Sequence, residues 1–332
     1  MTQYQEPESI IKFHSHMCPK TKLFPKQREI LETFYDGIYR ELVIVAGRRA
    51  GKDYMCSLIS LYEAYRLLQI NDPYQYYRIT AGNPIYLLNV ACSTDQSKIL
   101  FNEIKTHVQS YKYFSDKVGY FGANEIHLLT KQDKIDNDQK RQKDHSQEET
   151  TGSIRIQCTG ANSESLLGKR IFTLVLNEVA SFKPNCQHNI HNALIPATAD
   201  FINPNSHKLD SKIITISSPR CENDILHKLY TESNLIETRY AVQYATWEMN
   251  LLLTREQLRR EFKSMSENEF QMEFGAQFMP GENQTISLRL TGATINALKR
   301  IARKEAFEED EDVSYIDIIR EAINNYLVEN KV

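Results

Sequence analysis

Apolar residues in this 332-residue chain come in two rhythms. Short continuous or alternating runs, Leu42–Val45, Leu87–Cys92, Ile154–Thr159, Phe172–Leu176 and Ile213–Ile216, predict strands. The continuous ones are expected to be buried on both faces, as in a parallel sheet. Between them, apolar residues recur three and four apart. Phe24-Pro25-Lys26-Gln27 opens a helix through Tyr39 with Ile30, Leu31 and Phe34 on one face. Ser93 and Thr94 are placed to cap a helix over Gln96–Val108. Thr254–Phe274 reads as one further helix, through Leu258, Phe262, Phe270 and Phe274, until Met279-Pro280-Gly281-Glu282 breaks it. Strands alternating with helices predict an α/β fold with a mostly parallel sheet covered on both faces. Lys131–Thr151 has almost no apolar residue and reads as a mobile, solvated insertion loop.

The last fifty residues change rhythm. Thr285–Leu290 alternates, with Ile286, Leu288 and Leu290 on one side and Thr285, Ser287 and Arg289 on the other. Two helices follow, Thr294–Glu305 and Tyr315–Val328, the second capped by Ser314. One strand and two short helices bury too little on their own. A dimer pairing the strands antiparallel would supply the missing face and present a two-stranded ribbon suited to a DNA major groove.

The run Leu42–Val45 ends in Ala46-Gly47-Arg48-Arg49-Ala50-Gly51-Lys52, and a helical pattern with Tyr54, Met55, Leu58 and Ile59 begins directly after. This is strand, tight loop, helix, and the loop fits [AG]-x-x-x-x-G-K. Backbone N–H groups at such a helix N-terminus wrap polyphosphate, and the lysine neutralises its outer charge. A second candidate is Glu178, which follows the buried run Phe172–Leu176 and Asn177. An acid at the C-terminal end of a strand beside a phosphate loop is where a nucleotidase holds Mg²⁺ or polarises water. A third is Ser217-Ser218, at the tip of Ile213–Ile216 before Pro219, on the same sheet edge.

Composition changes this picture little. A formal net charge of −3 does not advertise nucleic-acid binding, so any such contact must be local. No apolar run approaches a membrane span, the N-terminus is polar and acidic, and six scattered cysteines without C-x-x-C spacing fit reduced thiols in a cytoplasm. The groups His14, His16, Cys18 and Cys186, His188, His191 lack the partner pairs of a zinc site and read as ordinary loop residues.

In order along the chain, these segments resemble the ATPase domain of the large terminase subunit, the motor that packages DNA into viral capsids. FPKQ resembles that family's adenine-side glutamine motif, AGRRAGKD its arginine-bearing phosphate loop, and NVACSTDQSKILFNEI its second strand and helix. SLLGKRIFTLVLNEVASF resembles the stretch ending in the Walker B acid, TISSPR the coupling motif, and ATWEMNLLL with EFQMEFGAQF the segment that closes the ATPase part. The resemblance implies a P-loop NTPase of the ASCE type over 1–245, a helical closing segment over 246–282, and ATP and Mg²⁺ as cofactors. It places Gln27, Ala46, Gly47, Ala50, Gly51, Lys52, Asp53 and Tyr54 around the nucleotide. Glu178 becomes catalytic, with Arg48 or Arg49 sensing γ-phosphate and Arg170 counted in the same set; Ser217 and Ser218 couple hydrolysis to movement.

Three departures stand out. Asp53 replaces the hydroxyl that usually follows the lysine, and Asn177 replaces the usual Walker B aspartate. The carboxylate lost at one has reappeared at the other, so Asp53 is expected to ligate Mg²⁺ with Asn177 as a neutral donor. The competing reading is a weakened or dead ATPase. Third, the family's nuclease does not follow; 283–332 instead resembles a ribbon-helix-helix domain, with Thr285, Ser287 and Arg289 as base readers. Against DNA binding there, the acidic run Glu308–Asp312 lies just before Ser314. The expected function is an ATP-driven motor on double-stranded DNA without its own nuclease, a ring when active and a dimer through its tail, working with a capsid portal and with a separate nuclease or small terminase-like protein in a host cytoplasm. The alternative is a DNA-binding adaptor that keeps the fold as a nucleotide-gated scaffold. If the tail reads bases, Arg289→Ala costs about 1–3 kcal/mol on a specific site and little on unrelated DNA at fixed salt. Equal losses on both DNAs would make Arg289 a phosphate contact only.

Overall fold

The computed structural model describes residues 4–143, 152–161, 168–183, 194–222 and 224–280. By its contacts the chain divides into Met1–Gly281 and Glu282–Val332. The strand and helices expected over 285–328 lie outside the described residues.

Eight strands form one sheet in the order β3-β4-β5-β2-β6-β7-β1-β8. In chain order they are β1 Glu41–Ala46, β2 Ile85–Ala91, β3 Val118–Phe121, β4 Glu125–Leu128, β5 Ile154–Gly160, β6 Arg170–Asn177, β7 Lys212–Ser217 and β8 Arg239–Tyr244. Pairing is parallel from β5 across to β8 and antiparallel only at the β3-β4-β5 edge. β7 lies between β1 and β6, so the strand ending at Asn177 is not β1's neighbour but one place removed. Strand alternation divides the core. Leu42, Ile44 and Ala46 of β1 face the larger cluster, and Val43 and Val45 the smaller one on the opposite face.

The larger face is covered by α1 Ile10–Met17, α2 Pro25–Asp36, α3 Lys52–Leu68 and α5 Thr94–Ser110. α2 has Pro25 in its first turn and stops at Gly37, short of the expected Tyr39. α5 is capped as predicted, the Ser93 hydroxyl accepting the Gln96 N–H at 3.2 Å. Two short helices, α4 Pro73–Tyr77 and α6 Lys112–Ser115, fill connections.

Two expectations are corrected. Lys131–Lys143 is a helix, α7, not a loop; 144–151 fall outside the described residues. The signal was local: Thr130 and Asp133 cap each other, the Asp133 N–H bonding the Thr130 hydroxyl at 3.1 Å and the Thr130 N–H bonding the Asp133 carboxylate at 2.8 Å. That carboxylate also accepts the N–H and hydroxyl of Ser153, anchoring the helix to the start of β5. Nor is Thr254–Phe274 one helix. It breaks into Arg255–Glu261 and Glu267–Glu273, because Ser266 and Glu269 form a second capping box that restarts the chain after Phe262. These two pieces, with Trp247, Leu253 and Met265, bury Leu258, Phe270 and Phe274 in a cluster of their own. No helix among the described residues is long and apolar enough to cross a membrane.

Under the sheet, far from the phosphate loop, α3 buries a charged cluster. Glu63, fully buried, accepts from the Tyr35 hydroxyl and from the Arg66 guanidinium, both at 2.7 Å. Arg66 also faces Asp210 at 3.9 Å, which accepts from Tyr77 and Asn203. Nearby Lys212 is pulled down to about 8 by burial first and then by the repulsion of Arg66, and its ammonium donates to the Tyr39 carbonyl at 2.5 Å. Burial of charge is tolerated only where partners are complete. Arg66→Met, which strands Glu63 with a single neutral donor, is expected to lower unfolding free energy by about 3–5 kcal/mol in urea titrations. Adding Glu63→Leu should recover most of that loss; no recovery would show that the pair is not the cause.

Candidate nucleotide site

The parallel strands β1, β6 and β7 end on one edge of the sheet, and the predicted residues follow from where each chain leaves it. β1 ends at Ala46, the chain turns through Gly47–Gly51, and α3 starts at Lys52. The turn needs two left-handed residues, Arg49 at φ 65° and Gly51 at φ 86°. Glycine takes that conformation freely; arginine does so at a cost that its surroundings must offset.

Those surroundings are the closing segment. The Arg48 N–H donates to the Glu273 carbonyl at 2.6 Å, and the Thr246 N–H to the Phe274 carbonyl at 2.8 Å. The Thr246 hydroxyl donates to the Arg48 carbonyl at 2.7 Å, and the Asn250 amide to the Arg49 carbonyl at 2.9 Å. Gly47 is packed so closely that an added Cβ would stand 2.4 Å from both the Phe274 carbonyl oxygen and the Thr246 hydroxyl. The outer wall of the loop is therefore built from residues some two hundred positions later.

Inside the loop lies Lys52, 7% exposed. Its ammonium is 2.8 Å from the Ser218 hydroxyl, 3.2 Å from the Gly47 carbonyl, 3.4 Å from the Ala46 carbonyl and 3.3 Å from the Glu178 carboxylate. Glu178 itself sits at φ 56°, an unusual conformation for a non-glycine residue just beyond a strand, and its N–H donates to the Ile216 carbonyl. Its second carboxylate oxygen accepts the Ser217 hydroxyl at 3.1 Å and the Ser218 N–H at 3.2 Å. Lys52, Glu178, Ser217 and Ser218 thus form one connected set.

Asp53 and Asn177 also meet. The Asn177 amide donates to Asp53 Oδ1 at 2.8 Å, while the buried Asn177 Oδ1 has no partner. Asp53 is exposed. An orphan amide oxygen beside a solvent-facing carboxylate is a donor set suited to a hard, oxygen-seeking, largely hydrated cation such as Mg²⁺. Glu103 of α5 lies within the same field, its carboxyl pushed up to about 7 by burial and then by the charge of Asp53. Sequence reading had not singled out Glu103.

Other expected residues lie elsewhere. Arg170 opens β6, at the opposite end of the strand from Asn177, and is held by Asp200 at 3.0 Å and the Thr80 carbonyl at 2.8 Å. Nearness in sequence to the acidic strand did not reveal which end of it Arg170 occupies. Tyr54 turns toward α1, its hydroxyl 2.7 Å from His14 Nε2 and its ring against His107. Arg48 and Arg49 are exposed, and Arg48 is ion-paired with Glu273. Gln27 is buried between α2 and the loop. Thr246, Asn250 and Glu273 were missed as loop contacts; the polar positions in Thr246–Asn250 were the available signal. His14, His16 and Cys18 face Tyr54, Glu8 and His107 respectively, and no group of three metal-ligating residues is found among the described residues. Cys186, His188, His191, Thr285, Ser287 and Arg289 lie outside them.

Residues 2–274 match the family described as "Uncharacterized protein MJ0330, N-terminal P-loop domain". The ATPase domain of the large terminase of Thermus phage P74-26 superposes with a TM-score of 0.55 at 14% identity, covering 82% of this chain and 100% of that one. A large terminase from a thermophilic bacteriophage in complex with ADP gives 0.52 at 13% identity, with 76% of this chain and 53% of that one covered. The bacteriophage HK97 large terminase gives 0.50 at 15%, with 79% and 49% covered. At such identities the likeness is one of fold: a P-loop domain of terminase ATPase type. No curated protein matches the chain in sequence.

The wall contacts give a direct expectation. Gly47→Ala forces the Phe274 carbonyl or the loop to move, at a cost of about 1–3 kcal/mol in thermal or urea unfolding. The displaced loop should also weaken fluorescent-nucleotide binding, and a variant with unchanged stability would show that the wall is loosely packed.

Proposed function

The chain belongs to the MJ0330 N-terminal P-loop domain family, and we propose that it is an ATPase of large-terminase type that moves double-stranded DNA. The observation that carries this reading is the convergence of Lys52, Glu178, Ser217 and Ser218 in one hydrogen-bonded set at the strand ends, with Asp53 and Asn177 beside it. Lys52 serves as the phosphate cation. Its present contacts are to carbonyls, a hydroxyl and one carboxylate, all of which a triphosphate's charge can outcompete. Glu178, released from Lys52, accepts a proton from the attacking water or orients it. Asp53 and Asn177 would hold Mg²⁺, which when bound neutralises charge on the outer phosphates.

Ser217 and Ser218 give the proposal its coupling step. Ser217 ends β7, between the loop strand β1 and the acidic strand β6, and Ser218 follows it; together they bond Glu178 and Lys52. A change at either charged group therefore reaches β7 directly. The DNA, a ring of subunits, a portal and a separate nuclease or small terminase-like partner belong to this proposal, as do the base contacts of Thr285, Ser287 and Arg289.

One observation favours the second reading, a nucleotide-gated scaffold with weak turnover. Glu178 is bonded by Lys52, Ser217 and the Ser218 N–H together, and the loop's Arg48 N–H is turned onto Glu273. Turnover with and without double-stranded DNA separates the two readings. The motor predicts stimulation by DNA; the scaffold predicts binding with little turnover under either condition. In the motor, Lys52→Ala abolishes nucleotide binding, while Glu178→Gln retains binding and slows hydrolysis by on the order of 10²–10⁴-fold. Unchanged hydrolysis in Lys52→Ala would remove the assignment.

A further inference from the structure

Gln27 stands at the junction of α2 and the phosphate loop with both ends of its amide engaged inside the protein. Its Oε1 accepts the Phe24 N–H at 3.2 Å, closing the first turn of α2. Its Nε2 donates to the Ala50 carbonyl at 3.0 Å. The residue is 4% exposed, and a Cβ added to Gly51 would stand 2.6 Å from that Nε2, so the amide has little room to turn. Beside it, the Lys26 ammonium is paired with Glu29 at 2.8 Å and lies 5.0 Å from the Tyr244 ring centroid.

An amide that reads a nucleobase must turn a donor and an acceptor outward together. Here that pair faces inward, onto a helix end and a loop carbonyl. The bond to Ala50 has a consequence for the loop. The peptide is planar and trans, so its C=O and N–H point in opposite directions. Holding the Ala50 carbonyl on Gln27 therefore turns the Gly51 N–H away from Gln27. We propose that Gln27 is a positioning residue of the phosphate loop, not a reader of the base, and that the site takes nucleoside triphosphates through their phosphates with little discrimination between bases. This rests on the nucleotide reading above and widens its substrate from ATP to nucleoside triphosphates as a class.

The test uses the full chain, with ATP and GTP as probes, each displacing a fluorescent triphosphate, alongside thermal unfolding. Wild type is expected to bind both with similar affinity. Gln27→Glu keeps an oxygen for the Phe24 N–H but replaces the donor to Ala50. It should weaken ATP and GTP by the same factor, at least about tenfold for the lost hydrogen bond, and lower the melting temperature, because the new carboxylate is buried against the Ala50 carbonyl. Gln27→Met removes both bonds without adding charge and should lose at least as much affinity, again equally for the two nucleotides. A wild-type preference for ATP of roughly 100-fold or more that Gln27→Glu erases would establish base reading and overturn the proposal. Wild-type affinity for both nucleotides in Gln27→Glu would reduce Gln27 to a helix cap and overturn it equally. Wild type that binds neither nucleotide would overturn this inference and the nucleotide reading together.

Discussion

A buried ammonium must find oxygens, and the placement of Lys52 at 7% exposure organises everything around it. Its acceptors come from the end of β1, from the residue beyond β6 and from the residue beyond β7. One cation thus ties together three strand ends that hydrogen bonding within the sheet brings side by side but does not align at their tips. Glu178 can adopt its left-handed conformation because Lys52, Ser217 and the Ser218 N–H hold its carboxylate, while the Ile216 carbonyl holds its N–H. Strain at a residue persists when its neighbours over-determine it, and here Ile216 and Ser217 of β7, Ser218 just beyond it and Lys52 all hold Glu178.

The same logic extends outward. Arg49 cannot sit at φ 65° without help, and the help comes from the closing segment through Thr246, Asn250, Glu273 and Phe274. That segment has its own small core around Leu258, Phe270 and Phe274. It is also tied to the sheet: Met249 belongs to the larger core cluster, Phe278 packs against the smaller one, and the Gln243 amide donates to the Ala276 carbonyl. The loop's outer wall is thereby fixed to both faces of the sheet, which are packed separately by alternate residues of each strand.

How much of this was legible follows from what each signal measures. The central strands were visible because double burial demands unbroken apolar runs, and Leu42–Val45, Phe172–Leu176 and Ile213–Ile216 supply them. The phosphate loop and the Glu178 set were visible because they follow directly from strand ends. α7 was not, since a helix polar on all sides has no apolar rhythm; only the Thr130–Asp133 cap marked it. The break at 262–266 was hidden for the opposite reason, because apolar spacing continued across it while Ser266 and Glu269 restarted the backbone. Arg170 and Tyr54 were misplaced by the same limitation: spacing identifies an element but not which end or face of it meets the site. The contacts of Thr246 and Glu273 with the loop join residues far apart in sequence, and no local pattern encodes them.

The pairing of Asp53 with Asn177 illustrates how geometry constrains what sequence leaves open. Asp53 and Asn177 lie on α3 and at the end of β6, joined by a 2.8 Å hydrogen bond. With a carboxylate at both positions, two negative charges would face each other next to Glu103, which already carries a carboxyl raised by burial and by Asp53. With the amide at 177, that repulsion becomes attraction, and Asp53 is held in place by a donor. The amide's other atom, Oδ1, is left buried without a partner. Buried orphan oxygens are uncommon because each forfeits its hydration, and such a group calls for a partner of its own. A cation bound by Asp53 would supply one, as would a bound water, so the amide that removes the second negative charge also leaves an oxygen in need of a partner.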